Sequence, residues 1–161
     1  MAGQSLKLVQ PLLRIPLFAG LKPLQITEMA RHADRVKFRP GNVIISAGQA
    51  LDGAYLLVEG KVEVKATADS WMPPEQIEPG SLVGEVAMFV EHTAALTLMA
   101  VERVHCMIIT RAAMLAQMED DPAVARHFES IYAERLNLAA VELRAIDKFL
   151  EDAAQSPATA A

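Results

Sequence analysis

The sequence predicts a mainly β domain with flanking helices, built around a small antiparallel barrel or jelly roll. Three observations predict it. Between Asp34 and Lys65 short apolar runs recur about every ten residues, broken by Gly41, Gly48, Gly53 and Gly60, which is the punctuation of turn-linked strands. No helical period separates these runs, so βαβ units are not expected. From about residue 122 the pattern changes to one long helical stripe. With 161 residues, 52% of them hydrophobic, the chain has length for one core, and folding should bury roughly 70% of the unfolded surface.

The elements follow in order. Met1 to Phe18 is fairly apolar, but Gln10, Pro11 and Arg14 interrupt it, and no apolar run reaches the ~18 residues of a membrane span. The single Cys106 cannot form an internal disulfide, so a reducing compartment and a cytoplasmic location are expected. Pro23 to Ala33 carries Leu24, Ile26, Met29, Ala30 and Ala33 at helical spacing, with Pro23 suited to a first turn. Strands are expected at Asp34–Arg39, Asn42–Ser46, Ala54–Gly60 and Lys61–Ala66. Pro73, Pro74 and Pro79 bracket a polar connection, and the runs Ala94–Val101 and Val104–Thr110 close the barrel. Arg111 to Met118 reads as a short helix.

Asp120, Asp121 and Pro122 mark the start of the long helix, about 122–152, since acids and proline favour a first turn. Phe128, Tyr132, Leu136, Ala139, Leu143, Ile146 and Leu150 are spaced by 4, 4, 3, 4, 3 and 4, and the later part alternates like a heptad seam. Such a stripe either packs on the barrel or joins a second copy. Length favours the second copy, because ~30 residues extend ~45 Å, beyond what a barrel of this size covers. The expected organisation is one domain over 1–152, including N-terminal helices and a dimerisation helix, and a disordered tail over 153–161.

Net charge is −5, which argues against nucleic acid as the main partner, because phosphate contacts need a basic face. The distribution is uneven. Up to Lys65 there are nine Lys/Arg against five Asp/Glu, and beyond it six against fifteen. Arg31, Arg35, Lys37 and Arg39 carry much of the positive side, either as a patch for an anionic partner or as a solvated helix end and strand face.

The most informative segment is Gly80-Ser81-Leu82-Val83-Gly84-Glu85-Val86-Ala87-Met88. Two glycines four apart, an acid and a short apolar turn form a candidate ligand cassette, because a tight turn opening after Gly84 would present backbone N–H groups to an anion. Glu85 could accept hydrogen bonds from a sugar hydroxyl. An ordinary turn would look much the same. The order and spacing of Pro16-Leu17-Phe18, Pro40-Gly41 with Ile44 and Gly48, Tyr55 to Val58 with Gly60, Val62 and Val64, and Gly84 to Met88 resemble the cyclic nucleotide-binding domain family over roughly Pro16 to Leu150. The resemblance implies an eight-stranded jelly-roll-like barrel that holds a nucleotide, and a long C-terminal helix that often dimerises. It implies that Glu85 holds the ribose 2′-hydroxyl, and that Gly84, Val86 and Ala87 turn their backbone to the sugar-phosphate.

After the cassette this family reads Pro-Arg-Ala-Ala-Thr or Pro-Arg-Thr-Ala-Thr, whereas this chain reads Thr93-Ala94-Ala95-Leu96-Thr97. Ala94 thus stands at the position of the phosphate-binding Arg, with Ala95 beside it. A lost charge-assisted contact of roughly 2–4 kcal/mol lowers affinity about thirty- to a thousand-fold. His92 is an auxiliary candidate, and a weak substitute for a guanidinium at neutral pH. On the long helix, where receptor-type members read the base with hydroxyls, Asn137 is the one polar group within Leu136 to Ala140. Receptor-type members also carry a helix-turn-helix domain of some 70 residues past this helix. No such segment follows here before Ala161, so direct DNA binding is not expected.

The expected function is a regulatory ligand-sensing module for cyclic AMP, cyclic GMP or another small ligand, without catalysis, metal or required cofactor. A homodimeric scaffold or protein-interaction module of the same fold is the alternative. A third possibility is an uncharged or heme-like ligand met by Met88, Met99 and Met107. His32, His92, His105 and His127 are scattered without a His-x-His pair, and Cys106 in an apolar run reads as an inert buried thiol.

Overall fold

The computed structural model describes residues 2–65 and 75–155. Pro73 and Pro74 of the expected polar connection, and the tail from residue 156, lie outside the described residues. Helix α1 (Ala2–Leu13) leads through a short 3-10 turn at Pro16–Phe18 into α2 (Pro23–His32). The strands then follow: β1 (Asp34–Phe38), β2 (Val43–Ile45), β3 (Ala50–Leu51), β4 (Gly53–Glu59), β5 (Val62–Lys65), β6 (Gln76–Ile77) and β7 (Leu82–Val83). A 3-10 turn at Glu85–Met88 precedes β8 (His92–Thr93), β9 (Thr97–Ala100) and β10 (Val104–Thr110). Helices α3 (Arg111–Asp120) and α4 (Pro122–Gln155) complete the chain.

Ten short strands among the described residues replace the expected eight, because glycine turns cut the barrel staves into two- to seven-residue pieces. They form two four-stranded antiparallel sheets, β1-β10-β4-β7 and β2-β9-β5-β6, with β3 and β8 paired separately. The sheets face one another as a jelly roll does.

The two central strands of the first sheet, β4 and β10, are buried on both faces, which explains their nearly unbroken apolar runs. Along β4, Ala54 and Leu56 point outward to the helices, and Leu57 points into the barrel. Across the ladder Leu56 pairs with Met107 and Leu57 with Cys106, so β10 alternates in step. Two cores result. The outer one joins Leu12, Leu17, Phe18, Ile26, Met29, Met88, Met107, Met114, Val124 and Phe128. The inner one joins Ile44, Ile45, Leu51, Leu57, Val62, Ala87, Ala94, Leu98, Val104 and Cys106. At Gly53 a Cβ would stand 2.1 Å from the Ile109 carbonyl oxygen, so only glycine lets β4 and β10 approach there.

Polar contacts fix the helices on the outer face. Gln25 Nε2 donates to Asp121 at 2.7 Å, and Gln117 Nε2 donates to the Gln25 carbonyl at 2.8 Å. The Gln25 hydrogen bond, then the Ala123 N–H, hold the Asp121 carboxyl below its usual range. Helix α4 begins in the outer core, where Phe128 is 2% exposed and meets Phe18 edge-on with ring centroids 6.1 Å apart. Beyond Tyr132 it leaves the barrel. Leu136 and Phe149 are each 71% exposed, and Leu143, Ile146 and Leu150 are also exposed. The apolar stripe is thus half used by the chain itself and half presented outward, and α4 runs three residues past the expected 152.

Candidate functional site

The Gly84–Met88 segment is built as its residues dictate. Gly84 has φ +71° and ψ +36°, the left-handed region that glycine adopts without strain. A Cβ there would come within 3.0 Å of Leu51 Cδ1. The next residues turn tightly, with the Ala87 N–H donating to the Gly84 carbonyl at 2.9 Å. Ala87 enters the inner core and Met88 the outer one. Arg111, at the start of α3, holds the turn from below. Its Nη1 donates to the carbonyls of Val90 at 2.9 Å, Ala87 at 3.3 Å and Leu51 at 3.4 Å.

Beside the turn lies a cavity of about 230 Å³ inside the barrel. Gly84, His92, Ala94 and Ala95 line it, together with Ile45, Leu51, Val64, Glu75, Ile77, Val83, Leu96 and Leu98. Ala94 is 8% exposed. Its N–H donates to the Gln49 carbonyl and its carbonyl accepts from the Gly48 N–H, both at 2.8 Å. Gly84, His92, Ala94 and Ala95 of the expected site therefore meet at one cavity, and Glu85, Val86, Ala87 and Asn137 do not line it.

Glu85 does not line that cavity. Its Oε1 accepts from Arg135 Nη1 and, at 3.4 Å, from the Tyr132 hydroxyl. Arg135 also stands 5.3 Å from the centre of the Tyr132 ring, within cation–π range. Burial, then the neighbouring Glu85 charge, push the Tyr132 hydroxyl up to about 12. Hydrogen bonding to Glu85 raises Arg135 further above its already high value. Next to this link, Phe89 packs on Phe128 and Tyr132 with centroids 5.0 and 5.4 Å apart. The cassette is thus joined to α4 by one ion pair and an aromatic cluster. Val86 is exposed and Ala87 fully buried, while Asn137 is exposed on α4 and does not line the cavity.

Arg111, Tyr132 and Arg135 were not expected in these roles. The placement of Arg135 three residues after Tyr132, on one helix face, is a signal that could have found that pair. The expected methionine set is corrected. Met88 and Met107 belong to the outer core, and Met88, Met99 and Met107 are all absent from the cavity lining. Met107 lies on the face of β10 opposite the barrel interior, Met88 leaves the 3-10 turn toward the outer core, and Met99 on β9 stays outside the lining. Histidines are likewise dispersed: His105 contacts Glu59 at 3.1 Å, His32 contacts Glu28 at 3.6 Å, and His127 meets the Leu17 carbonyl at 2.9 Å. Burial raises the Cys106 thiol to about 11. Arg31, Arg35, Lys37 and Arg39 are exposed, Arg31 pairs with Glu28, and Arg35 donates to the Ala30 carbonyl.

A jelly-roll barrel with a ligand-sized pocket, a glycine-led turn at its wall and a long helix tied to that turn define the class of fold. Comparison with known proteins gives the family. Residues 35–121 match the family model of the cyclic nucleotide-binding domain, and the chain belongs to that family. It is 27% identical over 128 residues to an HTH-type transcriptional regulator, Cmr, of Mycobacterium tuberculosis, covering 77% of this chain and 52% of that protein. It is 28% identical over 130 residues to the cyclic AMP receptor protein of Thermus thermophilus, covering 80% and 60%. The chain thus spans about half the length of these curated relatives. Among solved structures, the N-terminal domain of a transcriptional regulator from Streptomyces coelicolor superposes with a TM-score of 0.73 at 24% identity, covering 83% of this chain and 94% of that one. Among the described residues, no helix is long and apolar enough to cross a membrane.

Proposed function

We propose that this chain is the ligand-sensing module of a regulator, in which filling the barrel cavity alters the hold of the cassette on α4. The observation that carries this reading is the link from Glu85 to Arg135 and Tyr132. A ligand that shifts the Gly84–Met88 turn, and with it Glu85, strains that link and biases α4 between two positions. Such a shift requires the ligand to bind one position more tightly than the other. Gly84, Glu85, Val86, Ala87, Ala94 and Ala95 form the ligand side of the device. Catalysis has no part in it.

The exposed stripe of α4, from Leu136 to Leu150, supports a homodimer as the form in which the helix reports. A second reading, a homodimeric scaffold without a ligand, is favoured by Ala94 alone. The test uses Ala94→Arg, with cyclic AMP and cyclic GMP titrated by calorimetry at pH 7 and hydrogen exchange followed along α4. On the sensor reading, Ala94→Arg binds at least thirty-fold more tightly than the natural chain, and amides between Tyr132 and Gln155 change protection on binding. In Ala94→Arg/Glu85→Gln the exchange response shrinks. Binding with an unmoved α4 would leave the scaffold reading in possession.

A further inference from the structure

We infer that the natural ligand of the barrel cavity is an uncharged, mainly apolar small molecule, about the size of a fused two-ring compound, and not a phosphate ester. This rests on the ligand-sensing reading and names the ligand class of that same site. The wall carries the argument. Of the twelve described residues that line the cavity, ten are Gly, Ala, Val, Ile or Leu. The other two are Glu75, whose carboxylate repels an anion, and the imidazole of His92.

Among the described residues, no Lys or Arg lines the cavity to replace what Ala94 lacks. Arg111 already serves three carbonyls of the cassette and its flanks, and Arg135 is paired with Glu85. Neither lines the cavity. Two backbone donors beside it are already used: the Ala94 N–H goes to the Gln49 carbonyl and the Ala87 N–H to the Gly84 carbonyl. A phosphate monoanion entering here would give up its water without gaining a charged partner, which is strongly unfavourable. An apolar molecule loses nothing of the kind and gains the burial of its own surface.

Volume narrows the class. A closed apolar cavity of about 150 Å³ in another protein takes benzene; the pocket here, about 230 Å³ and open to solvent at its rim, has room for about two fused rings with one edge toward water. Half-exposed Leu96 at the rim marks a way in, and His92 or Glu75 can meet one polar group of an otherwise apolar ligand.

The experiment titrates the natural chain with N-phenyl-1-naphthylamine, an uncharged probe that brightens in apolar surroundings, with cyclic AMP as competitor up to millimolar concentration. Saturable one-to-one binding that cyclic AMP does not displace is expected. Ala94→Arg and the rim variant Leu96→Arg should each weaken the probe at least tenfold, with Leu96→Arg keeping the result readable if Ala94→Arg fails to fold. Leu143→Ser, which removes apolar surface from α4, should leave the titration unchanged. Displacement by micromolar cyclic AMP would overturn this inference and leave the sensing reading standing. Probe binding lost in Leu143→Ser but kept in both Arg variants would place the probe on the helix and overturn it too. Absence of binding by probe and nucleotide to natural and variant chains alike would overturn the inference and the sensing reading together.

Discussion

The two faces of the β1-β10-β4-β7 sheet are packed to different standards. On the outer face, Phe18, Leu12, Met88, Met114 and Val124 are all less than 2% exposed, and the rings of Phe18, Phe89, Phe128 and Tyr132 interlock. On the inner face, smaller residues surround a cavity of about 230 Å³. A packed interior ordinarily leaves few voids larger than a water molecule. The difference teaches that large rings close the outer face, whereas the inner face, tightly packed at Ile45 and Val104, opens at one end into a pocket that a ligand can fill.

Truncation tests this division most severely. Phe128→Ala removes a ring shared by α4, the cassette and the Pro16–Phe18 turn, and should cost about 3–5 kcal/mol in urea unfolding. Leu98→Ala, on the cavity wall, should cost less, about 2 kcal/mol, because it enlarges an existing space and does not open a new one. Equal losses would break the comparison.

Cys106 reports how dry the inner face is. Burial pushes its thiol up to about 11 in the folded chain. The neutral form is favoured by folding, so its contribution is intact below about pH 9 and is lost as pH rises toward 11, by about 1.4 kcal/mol at pH 10. Unfolding midpoints of the natural chain and Cys106→Val at pH 7 and pH 10 measure this, with the variant expected to show the shallower decline. Identical declines would mean that water reaches the thiol. The smallest effect comes from filling. Ala95→Leu places apolar volume at the cavity and should raise stability by roughly 0.5–1 kcal/mol, whereas an added side chain at fully packed Ala30 on the outer face should lower it by about 1–3 kcal/mol. Thermal melts of the two variants should move in opposite directions.

The barrel was legible because its glycines and apolar runs carry a period of two with turns at fixed intervals, and the cassette because Gly84 and Glu85 stand in a recognisable frame. The methionines show where that reading stops. A strand residue's face depends on register, and one residue of slip reverses it, so Met107 could be placed on a strand from sequence but not on a side of the sheet. Arg111 and Arg135 were hidden for another reason. Their partners, the Val90 carbonyl and the Glu85 carboxylate, lie 21 and 50 positions away in the chain, and nothing local announces a contact formed only by tertiary packing. Helix α1 was unresolved within a broadly apolar stretch, since Pro11 sits inside it and proline ordinarily argues against a helix interior.

Because β4 and β10 divide their side chains between two cores, the domain can be retuned one face at a time. Leu57, Val83 and Leu98 contribute to the barrel interior, while Ala54, Leu56 and Met107 anchor the helices. Substitutions on the first set reshape what enters the cavity and leave the helical scaffold in place. That separability makes the domain a ready starting point for building sensors of new small molecules, with the rim at Ala95 and Leu96 as the place to begin.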